Sequence, residues 1–364
     1  MNTNYHINRS INRLRTGLIS QEVPNELIFF VTNVCNFRCN HCFNQNLGSS
    51  KYDLSLSEIE KIVSSLNGRK IFNLLISGGE PLIRKDLINI ISLFVSSCAT
   101  SKILITTNGY YTDKTVSIFK ALSRKHKKVL FRIHFSIDGL SDYHNFIRGN
   151  DSSFEKSIHT IKAIEGLRLK NVEVSTICTI TDYNINNVIE FQHYMNNANI
   201  EVTYNIGRTN HAMITLPDGS YFSSPHINNQ TPEDNGVVPN KKKFIDVINN
   251  LYRLKNNKNL FKNIEDKVVE KSLLMGNEFL HGGKINFECS AGNRIGVIYA
   301  NGDVSLCENY NVVGNLRKFN YDFIKVWNGD VATEQREYVP KCSCAHPCFI
   351  HPSLYRNLWR VFFN

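Results

Sequence analysis

Three closely spaced cysteines are the clearest chemical feature of this sequence. Cys35, Cys39 and Cys42 follow a short apolar run and are separated by three and by two residues. Thiolates are soft ligands that suit iron–sulfur clusters and zinc. Three thiolates hold only three irons of a [4Fe–4S] cube, whereas electron-carrying clusters usually have four cysteine ligands. The triad therefore predicts a cluster with one open iron, a zinc site completed by His41 or a distant cysteine, or cysteines that only pack.

A second group of cysteines lies near the end of the sequence. Cys289 and Cys307 flank a predicted β-hairpin over residues 295–306, and such a hairpin brings the two thiols together. The other members of the group are Cys342, Cys344 and Cys348. On the residues alone, this group fits a zinc ribbon, with four cysteines or with three and His346, as well as it fits an iron–sulfur cluster.

A regular alternation of strands and helices positions the first cysteine group. Continuous apolar runs predict strands at residues 27–32, 71–76, 102–106, 129–137, 172–180 and 200–206. Helical spacing follows these runs, and Ser55 and Glu58 form a capping box before the first helix. The pattern predicts an α/β fold, a partial (β/α)6 barrel of the TIM type. The triad then lies in a loop at the carboxyl end of strand one, where barrels of this type place their chemistry.

Glycine-rich and polar motifs follow the next three strands in order. They are Gly78-Gly79-Glu80-Pro81, Thr107-Asn108-Gly109, and Ser136-Ile137-Asp138-Gly139 with His144 and Arg148-Gly149 downstream. Together with the triad, this ordered set resembles the radical S-adenosylmethionine (SAM) superfamily over residues 27 to about 207.

The resemblance implies a role for each motif. Cys35, Cys39 and Cys42 would bind three irons of a [4Fe–4S] cluster, and the fourth iron would chelate the amino and carboxylate groups of SAM. An electron from the cluster would cleave SAM to a 5′-deoxyadenosyl radical, which takes a hydrogen atom from substrate. The other SAM contacts would be His41 at the adenine, Gly78, Gly79 and Glu80 at the amino group, Ser136 and Arg148 at the carboxylate and ribose, and Asn108 and Asp138 beside them. As alternatives to SAM binding, Asp138 could brace the loop and Arg148 could form a surface ion pair.

The C-terminal cysteines resemble the SPASM/twitch extension of radical SAM enzymes. Such an extension implies auxiliary [4Fe–4S] clusters, and the group is too small for two of them. We therefore expect one auxiliary cluster in a small α+β domain, with one cysteine too many among Cys342, Cys344 and Cys348. The expected units are an N-terminal arm (1–26), the partial barrel (27–209), a loop and helical linker (210–283) and the cluster domain (284–364).

Two residues are candidates for direct contact with substrate. Cys178 lies on predicted strand five and could donate a hydrogen atom to a substrate radical if it faces the barrel interior; the alternative is a core cysteine. Tyr204 and Asn205 lie near the end of predicted strand six, and Arg208 follows the strand. The three could line the substrate mouth, where Arg208 could hold an anionic substrate or help to deprotonate a substrate hydroxyl. A salt-bridged rim residue is the alternative for Arg208.

Composition narrows the class of protein. The 364 residues carry a net charge of +10 but show no alternation of basic and aromatic residues, so nucleic acid is not a favoured partner. No apolar run resembles a signal peptide or a membrane span, which predicts a cytoplasmic protein.

The favoured substrate is a peptide or protein, and the favoured electron donor is a flavodoxin or ferredoxin. The alternatives are a dehydrogenase or epimerase of a sugar or aminocyclitol, and a non-catalytic zinc- or RNA-binding protein.

Overall fold

Six parallel strands form the frame of the protein in the computed structural model. Each strand pairs with the next one in the chain, and every pairing is parallel. Their bounds are β1 Glu26–Thr32, β2 Asn73–Gly78, β3 Lys102–Thr107, β4 Leu130–Ser136, β5 Val172–Ile180 and β6 Val202–Ile206. The structure describes residues 22–42, 44, 49–208, 224–226, 236–255, 260–283, 285 and 287–356. The predicted open barrel of six strands is confirmed.

Helices pack on the sheet between these strands. They are α1 Leu56–Ser65, α2 Leu87–Ser97, α3 Thr112–Lys125, α4 Ser141–Arg148, α5 Ser153–Gly166 and α6 Val188–Asn197. The predicted capping box is present, because Ser55 Oγ accepts from the Glu58 N–H at 3.3 Å and the Glu58 carboxylate accepts from the Ser55 N–H at 2.8 Å. Helix α4 was not predicted, since its eight residues are too few and too polar to show a helical period.

The C-terminal strands extend the same sheet beyond β1. Strands β7 Ile295–Ile298 and β8 Asp303–Ser305 form the predicted antiparallel hairpin, and β9 Val312–Asn315 adds a third strand. Strand β7 pairs in parallel with β1, with Glu26 opposite Ile295. The strand order over the described residues is β6-β5-β4-β3-β2-β1-β7-β8-β9. The C-terminal region is thus continuous with the barrel sheet.

The remaining helices lie after β6 and after β9. They are α7 Lys241–Leu254, α8 Leu260–Leu280, α9 Phe323–Trp327, α10 Asp330–Arg336 and α11 Pro347–Arg356. The helical stretch predicted over residues 241–280 is thus two helices. Helix α8 packs against β6 and against α11, so these helices stand beside the open edge of the barrel. Among the described helices, none is both long and apolar enough to cross a bilayer.

An ion pair ties the first barrel helix to the C-terminal region. Arg317 donates to the two carboxylate oxygens of Glu58, from Nε at 2.6 Å and from Nη2 at 3.0 Å. Tyr321 Oη donates to the same carboxylate at 3.0 Å. The hydrogen bonds from Arg317 lower the pKa of Glu58 to about 2. Because α1 follows the cysteine loop, this contact fixes the C-terminal strands relative to that loop.

Replacing Glu58 with glutamine should lower the free energy of unfolding at pH 7 by about 1 kcal/mol, since Arg317 is partly exposed and the pair is screened. A carboxyl whose folded pKa is depressed stabilises above its unfolded pKa, so the difference should fade as pH falls from 4.5 towards 2. Urea denaturation of wild type and Glu58→Gln across this pH range measures the difference in the free energy of unfolding. Glu60→Gln, exposed on the same helix, is the matched control and should change nothing. A pH-independent difference would contradict the ionic origin.

Candidate active site

The loop that carries the cysteine triad is held by hydrogen bonds at both of its ends. Thr32 Oγ1 donates to the Asp53 carboxylate at 2.6 Å and accepts from the Val34 N–H at 3.1 Å. The Asn40 N–H donates to the carbonyl of Ile147 in α4 at 2.9 Å. The loop is therefore fixed between the end of β1 and α4, which gives the three thiols defined positions.

The glycine pair after β2 lies directly against this loop. The Gly79 N–H donates to the Thr32 carbonyl and the Glu80 N–H to the Val34 carbonyl, both at 2.8 Å. A Cβ on Gly78 would lie 2.4 Å from the Thr32 carbonyl oxygen, and one on Gly79 would lie 2.2 Å from that of Val34. Real Cβ contacts are never so short, so the two glycines are required by the close approach of the cysteine loop.

Replacing Gly79 with alanine should lower the free energy of unfolding by about 3 kcal/mol, because backbone on both sides of the contact must move. The displaced loop should also bind less iron on reconstitution. Urea denaturation and iron analysis measure the two effects. Gly166→Ala is the matched control, since a Cβ there meets nothing within 4 Å, and it should change stability by less than about 1 kcal/mol. Equal effects of the two substitutions would contradict the contact.

The Glu80 carboxylate connects the ends of β2 and β3. It is 1% exposed and accepts from Thr107 Oγ1 at 2.8 Å, from the Asn108 N–H at 2.8 Å and from the Leu82 N–H at 3.1 Å. Burial raises its pKa, and these hydrogen bonds act in the opposite direction. Asn108 Nδ2 in turn donates to Asn36 Oδ1 in the cysteine loop at 2.8 Å. Glu80 and Asn108 therefore position the loop that carries the triad.

A buried ion pair lies beside the second cysteine. Arg148 Nη2 is 2.6 Å from Asp138 Oδ2, and the side chains are 11% and 0% exposed. Arg148 Nη1 donates to Cys39 Sγ at 3.6 Å, and Asp138 Oδ1 accepts from the Thr179 N–H at 3.0 Å. Burial alone raises the pKa of Asp138, but Arg148 and His41 lower it overall. The pair is charged and internal, which differs from the surface ion pair considered for Arg148.

The His41 ring lies next to this pair. Burial lowers the pKa of His41 to about 4, so the ring is neutral at pH 7. Its Nε2 is 3.9 Å from Asp138 Oδ2, and its Nδ1 has no hydrogen-bond partner among the described residues. A flat, neutral ring is suited to contact an aromatic ligand.

One cavity of about 450 Å³ joins these residues. Its wall includes nearly all of the residues predicted to bind cluster and SAM: Cys35, Cys39, His41, Cys42, Gly78, Gly79, Glu80, Asn108, Ser136 and Arg148. Asp138 is the exception, because it lies behind Arg148 and is fully buried. The cavity extends to the C-terminal region, where Glu308, His346 and Cys348 line it. Both cysteine regions therefore border the same space.

Four of the C-terminal cysteines form a buried group. Cys289, Cys307, Cys342 and Cys344 are each at most 6% exposed. Hydrogen bonds to Cys289 and Cys344 raise the pKa of Cys342, and the bond to Cys342 lowers that of Cys344. Burial, and then Cys344 and Cys289, raise the pKa of Cys307. The hairpin of β7 and β8 thus brings Cys289 and Cys307 to the same place, as its sequence predicted.

The fifth C-terminal cysteine differs from these four in its exposure. Burial raises the pKa of Cys348 to about 12, and the charged groups that act on it most strongly are Glu308, Arg208 and Glu26. Cys348 is partly exposed and lines the cavity. All five were predicted as candidate metal ligands, with one of Cys342, Cys344 and Cys348 in excess, and of these three Cys348 is the one that lines the cavity.

Two family models match the chain. One is described as the radical SAM superfamily and matches residues 29–195, and the other, described as an iron–sulfur cluster-binding domain, matches residues 289–349. The chain belongs to the radical SAM superfamily. The second match covers the four buried cysteines and Cys348, so this radical SAM protein also has the C-terminal cluster domain.

Known proteins share parts of this radical SAM chain. GTP 3′,8-cyclase of Vibrio vulnificus (strain YJ016) is 27% identical over 183 residues, which are 48% of this chain and 51% of that protein. The chain thus spans about half the length of the curated relatives it matches. The solved structure of native anSMEcpe with bound AdoMet and Cp18Cys peptide has a TM-score of 0.57 at 17% identity, over 85% of this chain and 81% of that one. Streptococcus suis SuiB bound to precursor peptide SuiA has a TM-score of 0.58 at 16% identity, over 97% and 76%. These structures share the fold.

The cofactors of this radical SAM protein are SAM, a SAM-binding [4Fe–4S] cluster and an auxiliary cluster, and the described residues fit them. Burial raises the pKa of Cys35 to about 11 and also raises that of Cys42. Thiolates there need a cationic partner, which iron supplies. Among the described residues, no group of three or more His, Cys, Asp or Glu side chains is arranged to bind a single metal ion. The ligands of a [4Fe–4S] cluster lie farther apart, because each one binds a different iron.

The two residues predicted to contact substrate have different surroundings. Cys178 is 0% exposed and lies outside the cavity wall, whereas its neighbours Ile177 and Thr179 line it. Side chains alternate along a strand, so Cys178 faces the helices, against its predicted role as a hydrogen donor. Arg208 lines the cavity, and its Nη2 is 3.8 Å from Glu308 Oε2. Arg208 is therefore part of an ion pair, as the alternative interpretation expected. The pair with Glu308, however, borders the cavity.

Sequence reasoning missed Glu308 and the cavity-facing side of α11. Glu308 is 4% exposed, and its Oε2 is 2.8 Å from Nε2 of His346. The residues of α11 that line the cavity are Pro347, Cys348, His351, Pro352 and Tyr355, at the spacing of one helix face. A carboxylate directly after a cysteine was the available indication for Glu308. Tyr204, in contrast, faces away from the cavity and donates to Gln192 Oε1 at 2.8 Å.

Proposed function

We propose that this protein cleaves SAM reductively and uses the resulting radical to take a hydrogen atom from a peptide or protein substrate. The observation that carries the proposal is the shared cavity. The three thiols of one loop, the neutral His41 ring and the Arg148 guanidinium all line it, together with residues of the C-terminal region. When bound, the reduced cluster and SAM supply a 5′-deoxyadenosyl radical, and everything else depends on how the chain positions the reactants.

We assign the SAM-binding cluster to Cys35, Cys39 and Cys42. Arg148 supports this site, because its guanidinium donates to Cys39 Sγ and is held in place by Asp138. Arg148 also lines the cavity, where its guanidinium suits the carboxylate of SAM. His41 fits the adenine, and Ser136 fits the ribose and carboxylate region.

The glycines and the glutamate of the turn after β2 have different roles in this proposal. Gly78 and Gly79 leave the backbone accessible at the cavity wall, where it can receive the SAM amino group. Glu80 already accepts three hydrogen bonds within the protein. We therefore assign Glu80, like Asp138, to positioning: it holds the ends of β2 and β3 against the cysteine loop.

We assign the auxiliary cluster to Cys289, Cys307, Cys342 and Cys344. Four thiolates match the usual ligand number of a [4Fe–4S] cluster. Such a cluster needs no exogenous ligand and can conduct electrons. The electron donor proposed for the enzyme is a one-electron carrier protein, a flavodoxin or ferredoxin, and its location the cytoplasm.

A peptide or protein substrate is supported by the shape of the site. The cavity continues from the SAM residues to α11 and the C-terminal region, so a side chain or backbone segment can enter beside SAM. The solved structures with the same fold include complexes with peptides. The substrate in the name GTP 3′,8-cyclase is not transferred, because that match covers about half of each chain.

A small polar metabolite is the second candidate. The observation that favours it is the charge of the cavity wall, where Arg208 and Glu308 can hold hydroxyl or amino groups. The reaction would then be the dehydrogenation or epimerisation of a sugar or aminocyclitol.

Anaerobic reconstitution followed by reduction tests the common part of both candidates. The reduced protein should contain about eight irons with matching sulfide per chain. It should release 5′-deoxyadenosine and methionine from SAM, as measured by liquid chromatography. Zinc without sulfide, and intact SAM after prolonged incubation, would overturn the proposal and favour a non-catalytic zinc-binding protein.

A further inference from the structure

The turns that lead into β2, β3, β4 and β5 lie at the opposite end of the sheet from the cysteine loop. Hydrogen bonds connect each turn to the next one. They run from the Ile71 N–H to the Cys98 carbonyl (3.1 Å), from the Leu130 N–H to the Ser101 carbonyl (2.9 Å) and from Asn171 Nδ2 to the His126 carbonyl (3.1 Å). The four turns therefore form one continuous surface.

This surface carries a strong excess of positive charge. With the first residues of the strands, the turns contain ten lysines and arginines but only two acidic residues, Glu165 and Glu173 (residues 66–73, 97–102, 124–132 and 165–173). Seven of the ten cationic side chains are exposed, and we call these seven the basic face: Lys70, Arg124, Lys125, Lys127, Lys128, Arg168 and Lys170.

The basic face has no counter-charge within the described part of the chain. Two of the remaining cations are paired, Arg69 with Glu22 at 3.0 Å and Arg132 with Glu173 at 2.9 Å. None of the seven side chains of the basic face forms an ion pair with a described residue. Unpaired like charges that share one surface repel each other, so the face is suited to a partner of opposite charge.

Helix dipoles do not account for the whole face. Cations are favoured in the last turn of a helix, and Arg124 and Lys125 lie in the last turn of α3. The other helices of this end finish at Ser65 and Gly166. Four of the seven cations lie beyond the last helical turn, where the effect of the dipole has fallen off: Lys70, Lys127, Lys128 and Lys170.

The backbone at Arg168 is a separate indication that the charge is used. Helix α5 ends at Gly166, and Arg168 follows it with a φ of 50°, in the left-handed region. Glycine or asparagine adopts this conformation at a helix end at a lower cost than arginine does. An exposed arginine at this position therefore serves something other than the fold.

The cavity of the proposed SAM site extends to the same end of the barrel. Its wall includes Lys102 and Arg132, near the starts of β3 and β4. Ser136, which belongs to the proposed SAM site, lies on the same side of β4 and also lines the cavity. The four-residue step from Arg132 to Ser136 is about 13 Å long. The basic face is thus well separated from the reacting atoms.

We propose that the basic face docks an acidic segment of the peptide or protein substrate, at a distance from the residue that reacts. The inference rests on the proposed function for the identity of this partner. The four turns span three gaps between neighbouring strands, or about 14 Å. An extended acidic stretch of about five residues has the length to cover them.

The residues of the face favour carboxylates over nucleic acid. Five of the seven cations are lysines, whose ammonium groups pair with carboxylates as point charges, whereas arginine is preferred for bidentate phosphate contacts. The structure describes these four turns in full, and no exposed Phe, Tyr or Trp lies in them. A surface without exposed aromatic rings offers no platform on which bases can stack.

Fluorescence anisotropy of labelled peptides with the oxidised holoenzyme tests the docking. The probe is a peptide with a run of about six glutamates, and its control has glutamines at the same positions. The glutamate peptide should bind at least about tenfold more tightly, and its binding should weaken about fivefold as salt rises from about 50 mM to about 200 mM. Equal affinity of the two peptides would overturn the inference.

A fourfold variant tests whether the basic face is the binding site. The variant Lys127→Gln/Lys128→Gln/Arg168→Gln/Lys170→Gln should bind the glutamate peptide at least about tenfold more weakly than wild type. The control removes the same charge from exposed lysines elsewhere and should bind as wild type does: Lys242→Gln/Lys243→Gln/Lys267→Gln/Lys318→Gln. Equal losses in the two variants would show that net charge alone attracts the peptide, and would overturn the inference.

Arg168→Gly separates binding from a structural role. Glycine relieves the left-handed conformation, so the urea midpoint should be equal to that of wild type or higher. Binding of the glutamate peptide should nevertheless weaken about twofold. Unchanged binding would overturn the role of Arg168 in docking.

Cross-linking and a nucleic-acid probe identify the site and the class of partner. Carbodiimide joins carboxylates to lysines in direct contact, so peptide mapping should find the glutamate peptide on Lys127, Lys128 or Lys170. Cross-links confined to other lysines would overturn the inference. Tighter binding of a single-stranded oligouridylate than of the glutamate peptide, lost in the fourfold variant, would overturn it in favour of nucleic acid.

These measurements separate the two proposals, because none of them requires SAM cleavage. If wild type releases no 5′-deoxyadenosine, the proposed function fails, and peptide binding still decides whether the basic face docks acidic segments. If 5′-deoxyadenosine forms but the glutamate and glutamine peptides bind equally, the inference fails and the proposed function stands.

Discussion

Replacing Cys39 with alanine should reduce release of 5′-deoxyadenosine to about one-thousandth of wild type or less, which corresponds to about 4 kcal/mol of lost transition-state stabilisation. Cys39 lies between the other two thiols of the loop, and its Sγ accepts from Arg148 Nη1 at 3.6 Å. Without it, two cysteines remain for the cube, and the Arg148 guanidinium loses the thiolate that it faces. Liquid chromatography of the reaction of reduced protein with SAM measures the effect.

Iron content distinguishes loss of one cluster from general misfolding in this experiment. Cys39→Ala should keep about four irons, those of the auxiliary cluster, and should lose about four. Cys98→Ala should keep both clusters and full SAM cleavage, because Cys98, at the C-terminal end of α2, is buried and lies outside the cavity wall. SAM cleavage by Cys39→Ala at a tenth of the wild-type rate or faster would contradict the assignment of the triad.

The parts of this site that local patterns encode could be predicted from the sequence. Apolar runs decide the barrel strands because both faces of a parallel sheet are covered. The carboxyl ends of such strands meet at one edge, which is why the order of the motifs alone predicts that Cys35, Gly79 and Asn108 lie together. The capping box at Ser55 and the hairpin after Cys289 are equally local.

The parts that could not be predicted depend on which side chain meets which partner. The parallel pairing of β7 with β1 joins segments that are distant in the chain, and nothing in either segment encodes it. A one-residue change of register decides whether Cys178 faces the cavity or the helices. The spacing of Cys342, Cys344 and Cys348 likewise does not show which of the three thiols lines the cavity. Arg148 pairs with Asp138 because both side chains are buried, and this burial could not be predicted from the sequence.

Replacing Asp138 with asparagine should lower the free energy of unfolding by about 3–5 kcal/mol, because Arg148 then stays buried without its counter-charge. The Asp138 carboxylate is 0% exposed and is 2.6 Å from Arg148 Nη2. Burial disfavours its charge, yet its pKa is lowered, so attraction by Arg148 outweighs desolvation. Urea denaturation of wild type and variant under anaerobic conditions measures the loss. Asp142→Asn, exposed in the first turn of α4, is the control and should cost less than about 1 kcal/mol.

A double replacement separates the pair from the rest of the site. If the loss comes from an unpaired guanidinium, adding Arg148→Met to Asp138→Asn should restore much of the stability, since buried ion pairs can be exchanged for apolar groups at little net cost. The double variant should still fail to cleave SAM, because Arg148 faces both Cys39 and the cavity. A stable but inactive double variant would show that the ion pair serves SAM binding more than folding. If Asp138→Asn alone cost less than about 1 kcal/mol, Arg148 would instead be compensated by the cluster thiolates, and the pair would not be the element that holds it.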